Sequence, residues 1–251
     1  MALTGKSLFL YNYEVDSFNS SLDFSIGGST LLATLNFGFY CLSDLMAEIK
    51  RSMESVDPAH TYTITADRTF SGGTQNRITI TSSYTTLNLL FGTGPRVATS
   101  VRSLIGFGPV DRTGSTSYQG VSTSGVSLIP EYVGYSYLPP SMWKQVYGVT
   151  NVATSGLKET IAWNIQNFSQ VQFKYEPESK VISQWSPMFD WMIQQKPFEF
   201  TPNISSPSLF YKFTLESTQG DGKGLGHNWT EMLPDFPFNY QTGMLKFRLK
   251  V

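Results

Sequence analysis

The chain has 251 residues, a formal net charge of −1, 40% hydrophobic residues and only 15% charged residues. This length supports one large or two small domains, and the hydrophobic share argues against intrinsic disorder. The near-neutral charge lacks the basic face that a duplex nucleic-acid binder needs, and no apolar run reaches the roughly 18 residues of a membrane-spanning helix.

Ser and Thr together number 55, and aromatic residues make up 14% of the chain. This composition is typical of a polar, uncharged surface over a β-favouring interior. Cys41 is the only cysteine, so an intrachain disulfide and a cysteine-rich metal site are both excluded. The first residues lack the apolar stretch of a signal peptide, and we expect a soluble, β-rich protein made in the cytosol.

The first part of the chain, residues 6–40, has the pattern of β-strands. Leu22, Phe24 and Ile26 alternate with polar residues, which is the period of a half-buried strand. The Gly27-Gly28 pair predicts a turn, and residues 31–35 run back from it as the second strand of a hairpin.

A helix is predicted next. Its apolar stripe has spacings of three and four residues and consists of Leu42, Leu45, Met46, Ile49 and Met53. Ser43 is the predicted N-cap, and Pro58 lies just beyond the predicted end.

Residues 61–66 and 77–81 alternate as two strands joined by a hairpin loop over 67–76. A short apolar segment at 87–91 is followed by a predicted helix over 96–105, with Gly106 as its C-cap. Residues 111–129 are rich in Ser, Thr and Gly, which predicts a linker or an extended arm.

The second half is again β-rich. The predicted strands are 160–163, 171–175, 198–200, 209–215 and 244–251. Ser186-Pro187 is typical of an N-cap followed by proline in the first helical position, and Pro197 ends that helix. The glycine-rich loop over 219–228 is expected to be mobile.

Candidate reactive groups are few. The two histidines, His60 and His227, lie in predicted loops without a second ligand at helical spacing, so surface histidines are the expectation. Cys41 precedes a helix, which is a position that lowers a thiol pKa, but its apolar neighbours favour a buried structural cysteine.

Neither glycine-rich segment matches a phosphate-binding motif. The GTGP segment at 92–95 lacks the lysine of a P-loop, and GDGKGLG at 220–226 fails both the P-loop and the calcium-loop spacing. A turn and a flexible loop are the expected structures.

Other residue types leave weaker alternatives open. Glycoside cleavage needs a pair of carboxylates, which distant strands can supply. The candidates are the scattered acids Asp23, Glu131, Glu159 and Glu199. The tryptophans at 143, 163, 185, 191 and 229 are candidates for sugar stacking or for core packing. The Asn-x-Ser/Thr sequons at 19, 167, 203 and 228 carry little meaning without secretion.

A set of motifs follows in a fixed order through roughly residues 8–120: LDFSIGG, GFYCLSDLMAEI, TYTIT, RITITS, LNLLFGTG, SLIGF and DRTGSTSY. With these motifs the N-terminal half resembles a module common in tailed-bacteriophage virion proteins. The segment WSPMFDWMIQQKPFEFTPN at 185–203 and the final KFRL are similar to pieces of phage distal tail and baseplate-hub proteins. Proteins of this kind carry no catalytic residues, so the resemblance transfers none.

Together these patterns predict an α+β, β-rich fold with a small α+β N-terminal domain and a mainly β, sandwich- or barrel-like C-terminal domain containing one helix. The expected division is a phage virion module at 1–110, a linker or arm at 111–140 and a mainly β domain at 141–251. We expect no enzyme activity, no catalytic or metal-binding residue and no cofactor.

The resemblance implies a structural component of the virion, most readily a tail or baseplate ring protein that contacts copies of itself and other virion proteins such as the tail tube or hub. No nucleic-acid or membrane contact is expected, and the expected location is the virion, in the tail rather than the capsid. The alternatives are a capsid decoration or head-to-tail connector protein, a glycan-binding adhesin of the tail, and a hydrolase acting on the host envelope.

Overall fold

The computed structural model describes residues 8–69, 76–128, 142–201, 208–217, 229–231 and 238–250. The protein is 47% strand and 20% helix, which confirms the predicted α+β, β-rich class. The predicted mobile loop over 219–228 lies outside the described residues.

The N-terminal part begins with three strands that follow the predicted pattern. They are β1 (Leu8–Val15), β2 (Ser21–Ile26) and β3 (Ser29–Thr34), and the last two form the predicted antiparallel hairpin. Strand β4 (Gly38–Cys41) then pairs with β1 and leads directly into helix α1 (Leu42–Val56).

Helix α1 buries the predicted apolar stripe. Leu42, Leu45, Ile49 and Met53 are fully buried in the N-terminal core, whereas Met46 is partly buried. The predicted N-cap was wrong, because Cys41 occupies that position with an extended backbone. Ser43 lies inside the first turn, and its backbone N–H donates to the carboxylate of Glu199, 156 residues further along the chain.

Two small sheets complete the N-terminal core. Strands β5 (Tyr62–Asp67) and β6 (Arg77–Ser82) form the second predicted hairpin, and β7 (Leu87–Leu89) adds to the edge of β2. The predicted helix over 96–105 is instead two single 3₁₀ turns, Val97–Thr99 and Val101–Ser103. Ser100 separates them with an extended backbone and accepts a hydrogen bond from the N–H of Arg102, so no continuous helix forms.

The Ser/Thr-rich segment after residue 110 is extended but paired within the chain. Its strands β8 (Arg112–Ser115), β9 (Ser117–Gln119) and β10 (Val126–Leu128) pair with β7, β6 and β1 respectively. Strands of the predicted linker or arm are therefore part of the sheets that the first half of the chain builds. Since β1 also pairs with a strand near residue 200, the division at 110 and 141 stays a prediction.

The second half adds the strands of one large sheet and of one small sheet. They are β11 (Met142–Val152), β12 (Lys158–Val171), β13 (Glu176–Pro177), β14 (Phe198–Thr201), β15 (Tyr211–Ser217), β16 (Trp229–Glu231), β17 (Asn239–Thr242) and β18 (Leu245–Leu249). The large sheet has the order β10-β1-β14-β15-β18-β12-β11, with β4 also on β1, and the small sheet has the order β13-β17-β16.

A helical segment from Glu178 to Ile193 packs against the aromatic face of the large sheet. It comprises α2 (Glu178–Lys180), a π-helical stretch (Val181–Trp185) and α3 (Ser186–Ile193). Ser186 is helical, so the predicted N-cap there was wrong. Pro187 has no N–H to donate, and the wider turn ahead of it accommodates the missing hydrogen bond.

Candidate functional site

The described residues place a partly buried polar cluster where helix α1 meets the large sheet. We call it the junction cluster, and its members come from the end of β4, α1, the residue after β5, β14 and β15: Cys41, Ser43, Asp44, Arg68, Glu199 and Lys212. Cys41, Arg68 and Glu199 are buried, and the other three are partly exposed. Glu199 accepts hydrogen bonds from the backbone N–H of Ser43 at 2.8 Å and from the guanidinium of Arg68. Lys212 Nζ lies 2.6 Å from Asp44 Oδ1.

The electrostatics of the junction cluster keep its thiol unreactive. Burial, together with the nearby charge of Glu199, raises the pKa of Cys41 to about 12. The Cys41 thiol donates to Asp44 Oδ2 at 3.1 Å. Because only a thiolate is a good nucleophile, this cysteine stays a protonated structural group at neutral pH.

The Asp44–Lys212 pair is held in its charged form. Burial alone would raise the pKa of Asp44, but hydrogen bonds from Lys212 and Cys41 lower it overall. Burial alone would likewise lower the pKa of Lys212, but Asp44 raises it overall. A charged lysine is neither a base nor a nucleophile. The junction cluster is therefore better suited to joining two parts of the fold than to acting as a reactive centre.

The GTGP segment is a turn that binds one of the protein's own carboxylates. The N–H groups of Gly92 and Thr93 both donate to Asp111 Oδ1, at 2.6 and 3.1 Å. A Cβ on Gly94 would lie 2.5 Å from the carbonyl oxygen of Leu90, so the chain folds too tightly there for a side chain. The amides that a phosphate would need are therefore already used by the fold.

His60 forms a short hydrogen-bonded chain at the end of α1. Its Nδ1 lies 2.9 Å from Asp57 Oδ2, and the hydroxyl of Tyr62 donates to the same oxygen at 2.6 Å. The ring also packs edge-on against Tyr84. This arrangement anchors β5 to α1, whereas His227 lies outside the described residues. Within the described part of the chain, no group of three or more His, Cys, Asp and Glu side chains could hold a metal ion.

The three described members of the scattered acids have separate surroundings. Asp23 is buried and bonded to Arg96, Glu199 belongs to the junction cluster, and Glu159 is exposed on β12. Glu131 lies outside the described residues. Asp23 and Glu199 each pair with a different arginine, so these two acids are not the carboxylate pair of a glycosidase.

The described tryptophan side chains serve packing. Trp185 and Trp191 are buried, and Trp229 packs edge-on against Trp185 with ring centroids 5.3 Å apart. The side chains of Trp143 and Trp163 are outside the described ones. Of the sequon residues, Asn19 closes a turn through Asp16, Asn167 lies on β12, and the other two lie outside the described ranges.

Strands β11 and β12 form a long hairpin that the sequence reading missed in part. They pair from Met142–Ser169 to Val152–Lys158, with one bulge opposite the Tyr147–Gly148 step. Only the last four residues of β12, Phe168–Val171, also pair with β18. The rest of the hairpin therefore extends beyond the sheet. The missed signal was two runs of β-favouring residues around the ATSG turn at 153–156.

This hairpin exposes apolar side chains on both faces. Val146 lies directly opposite Ile165, and these side chains are 51% and 57% exposed. Val149 lies directly opposite Ile161, at 47% and 55%. Since side chains alternate along β11, the two pairs project from opposite faces. Exposed apolar pairs of this kind on a two-stranded hairpin are typical of a contact surface.

Comparison of the chain with models of protein families, with curated proteins and with solved structures gave no match. Among the described residues, no helix combines the length and the apolar character needed to cross a bilayer.

Proposed function

We propose that this protein is a non-enzymatic structural component of a bacteriophage virion, a tail or baseplate ring protein that assembles with copies of itself through the β11–β12 hairpin. The exposure of apolar cross-strand pairs on both hairpin faces is the observation that carries the proposal. The virion context rests on the resemblance of the N-terminal motifs and of the segment at 185–203.

The hairpin has the size of an interface element. The part of β11 that lies opposite the residues of β12 that do not pair with β18 runs from 144 to 152, which spans about 30 Å, and two strands are about 10 Å wide. Each face therefore offers about 300 Å², and the two faces together offer about 600 Å², compared with the roughly 800 Å² that each partner buries in a standard interface.

The open edge of the hairpin adds to this surface. Strand β11 ends the order of the large sheet, so its outer edge has no strand partner among the described residues. Lys144 is the only charged residue of β11, and the strand contains no proline. An edge with so few protective residues favours pairing with another chain.

A capsid decoration or connector protein would also need an exposed surface for contacts with other subunits. Its location in the particle is what would distinguish it from a tail protein. The adhesin alternative draws no support from the described tryptophan side chains, since these are buried or packed in the core.

The first test measures the mass of the purified full-length chain by mass photometry across a range of concentrations. We expect closed oligomers for the wild type and monomers for the double variant Ile161→Asp/Ile165→Asp, because a charge on each face opposes burial. Ile182→Asp is the matched control, since Ile182 is also exposed but lies outside the hairpin.

A second test asks where the protein lies in the particle. Antibody labelling of intact virions and of tail-less particles is expected to mark the tail alone. A wild-type chain that stays monomeric at every concentration, with no affinity for any virion component, would refute the proposal.

A further inference from the structure

A second exposed apolar surface lies where β1 ends and β4 begins. Val15 pairs with Gly38, and the N–H of Leu35 donates to the carbonyl oxygen of Ser20 at 2.9 Å. The segments 16–19 and 36–37 therefore run side by side between these two contacts. They present Phe18 and Phe37, which are 78% and 65% exposed.

Acidic side chains border these two rings. Glu14 is exposed and lies directly opposite Phe39, the next exposed aromatic residue on β4. Asp16 follows it, and its Oδ1 accepts a hydrogen bond from the N–H of Phe18. We call this surface the Phe patch: Glu14, Asp16, Phe18, Phe37 and Phe39.

One basic group is also present at the far border of the Phe patch. Lys196 Nζ lies 3.6 Å from the centre of the Phe39 ring, where it makes a cation–π contact. With two carboxylates and one ammonium group, the Phe patch is net acidic. It combines apolar rings with an excess of negative charge.

The hairpin has the opposite charge on one face. Lys144 and Val152 are even-numbered residues of β11 and share the face of Val146, and Lys158 lies directly opposite Val152. This face, which we call the lysine face, carries two exposed lysines and no acid. Glu159 lies opposite Asn151 and so projects from the other face.

We infer that the lysine face of one copy docks on the Phe patch of a second copy. Apolar surface meets apolar surface, and two ammonium groups meet two carboxylates. The contact joins two different surfaces of the same chain, which is the arrangement that closes rings or extends filaments. This inference rests on the proposed function, because it names the partner surface of the same hairpin.

Charge exchange tests the docking in the full chain. The single change Glu14→Lys and the double change Lys144→Glu/Lys158→Glu are each expected to raise the apparent Kd of self-association about tenfold, since exposed pairs contribute little individually and reversal adds repulsion. Combining all three changes is expected to bring the Kd back to within about threefold of the wild type. Glu178→Lys, the same change at an exposed acid outside both the hairpin and the Phe patch, is the control and should leave the Kd unchanged.

Cross-linking gives an independent readout. The single native cysteine, Cys41, is buried and its pKa is raised, so only the introduced cysteines are expected to react with the cross-linking reagent. Protein carrying Lys158→Cys, mixed with protein carrying Glu14→Cys, should give dimers with a bismaleimide reagent. Each protein alone should give none.

The failure of this inference can be told apart from failure of the proposed function. If Ile161→Asp/Ile165→Asp abolishes assembly but the combined charge variant stays as weak as its parents, the hairpin assembles and the Phe patch is not its partner. Cross-linking of the Lys158→Cys protein with itself would also overturn the inference, because it would show hairpin-to-hairpin contact. A wild-type chain that never self-associates would refute both the self-assembly through the hairpin and the docking on the Phe patch.

Discussion

Replacement of Glu199 by glutamine removes the negative charge at the centre of the junction cluster while keeping the shape of the side chain. In the wild type, one carboxylate oxygen accepts the N–H of Ser43 and the other accepts from Arg68. An amide group offers only one acceptor oxygen, and its NH₂ group then faces either a guanidinium or an N–H donor. One hydrogen bond and the charge balance of Arg68 are lost together.

The expected cost follows from burial. Glu199 is fully buried and the Arg68 side chain is 8% exposed, with its guanidinium 3.8 Å from the centre of the Phe210 ring. Removing one partner of a buried ion pair costs about 3–5 kcal/mol, because the other charge stays buried without compensation. For a chain of this size, that corresponds to a fall in Tm of about 6–20 °C.

Urea unfolding measures this cost directly. Tryptophan fluorescence follows the C-terminal core through Trp185 and Trp191, and far-UV circular dichroism follows the secondary structure as a whole. Glu159→Gln is the matched control, since Glu159 is exposed, and its effect should stay within about 0.5 kcal/mol. The double variant Arg68→Met/Glu199→Gln should lose less stability than the two single variants added together, because no charge is left unpaired.

A buried ion pair between Glu199 and Arg68 is contradicted if Glu199→Gln shifts the unfolding midpoint no more than Glu159→Gln does. It is also contradicted if the double variant loses as much stability as the sum of the losses of Arg68→Met and Glu199→Gln, because this additivity would show that the two side chains act independently.

Three further outcomes are expected. Gly94→Ala should cost about 1–3 kcal/mol in urea unfolding because its Cβ would overlap neighbouring atoms, whereas Gly108→Ala, whose Cβ meets nothing within 4 Å, should change little. Burial opposes ionisation of Asp44, but hydrogen bonds from Lys212 and Cys41 lower its pKa overall. The charged carboxylate therefore stabilises the fold above the unfolded pKa of about 4, and this stabilisation is lost as the pH falls below that value. The variant Lys212→Met should lose less stability between about pH 5 and 3 than the wild type does, and an equal loss would contradict this. The thiol of Cys41, whose pKa is about 12 because of burial and the nearby Glu199 charge, should react with a thiol reagent at neutral pH only after unfolding, and reaction in the native protein would contradict the buried position.

Local patterns were enough for several elements. The apolar stripe of α1 and the alternation in the β2–β3 and β5–β6 hairpins predicted each element within a few residues. In these places each residue's partners lie within one turn or one hairpin, so the pattern of neighbours contains the information.

Helix ends were less predictable because their partners are distant. Ser43 has the side chain of an N-cap, yet its backbone N–H donates to Glu199 and the cap position belongs to Cys41. Ser186 has the same side-chain type, but the helical segment already begins at Glu178. Helix α1 begins at Leu42 because the carboxylate of Glu199 accepts the N–H of Ser43, which the side chain of an N-cap residue at position 41 would otherwise accept.

The junction cluster and the two exposed surfaces depend on the folded chain. In the sequence, Glu199 was one of several scattered acids, and Phe37 lay within a β-patterned segment with no role assigned to it. Tertiary packing brings Glu199 beside Arg68, and the pairing of β1 with β4 sets the segment of Phe37 beside the segment of Phe18. Val146 and Ile165 stay exposed on the hairpin. Burial and exposure are properties of the whole packed chain, so contacts between residues distant in sequence, such as Arg68 and Glu199, help to decide them.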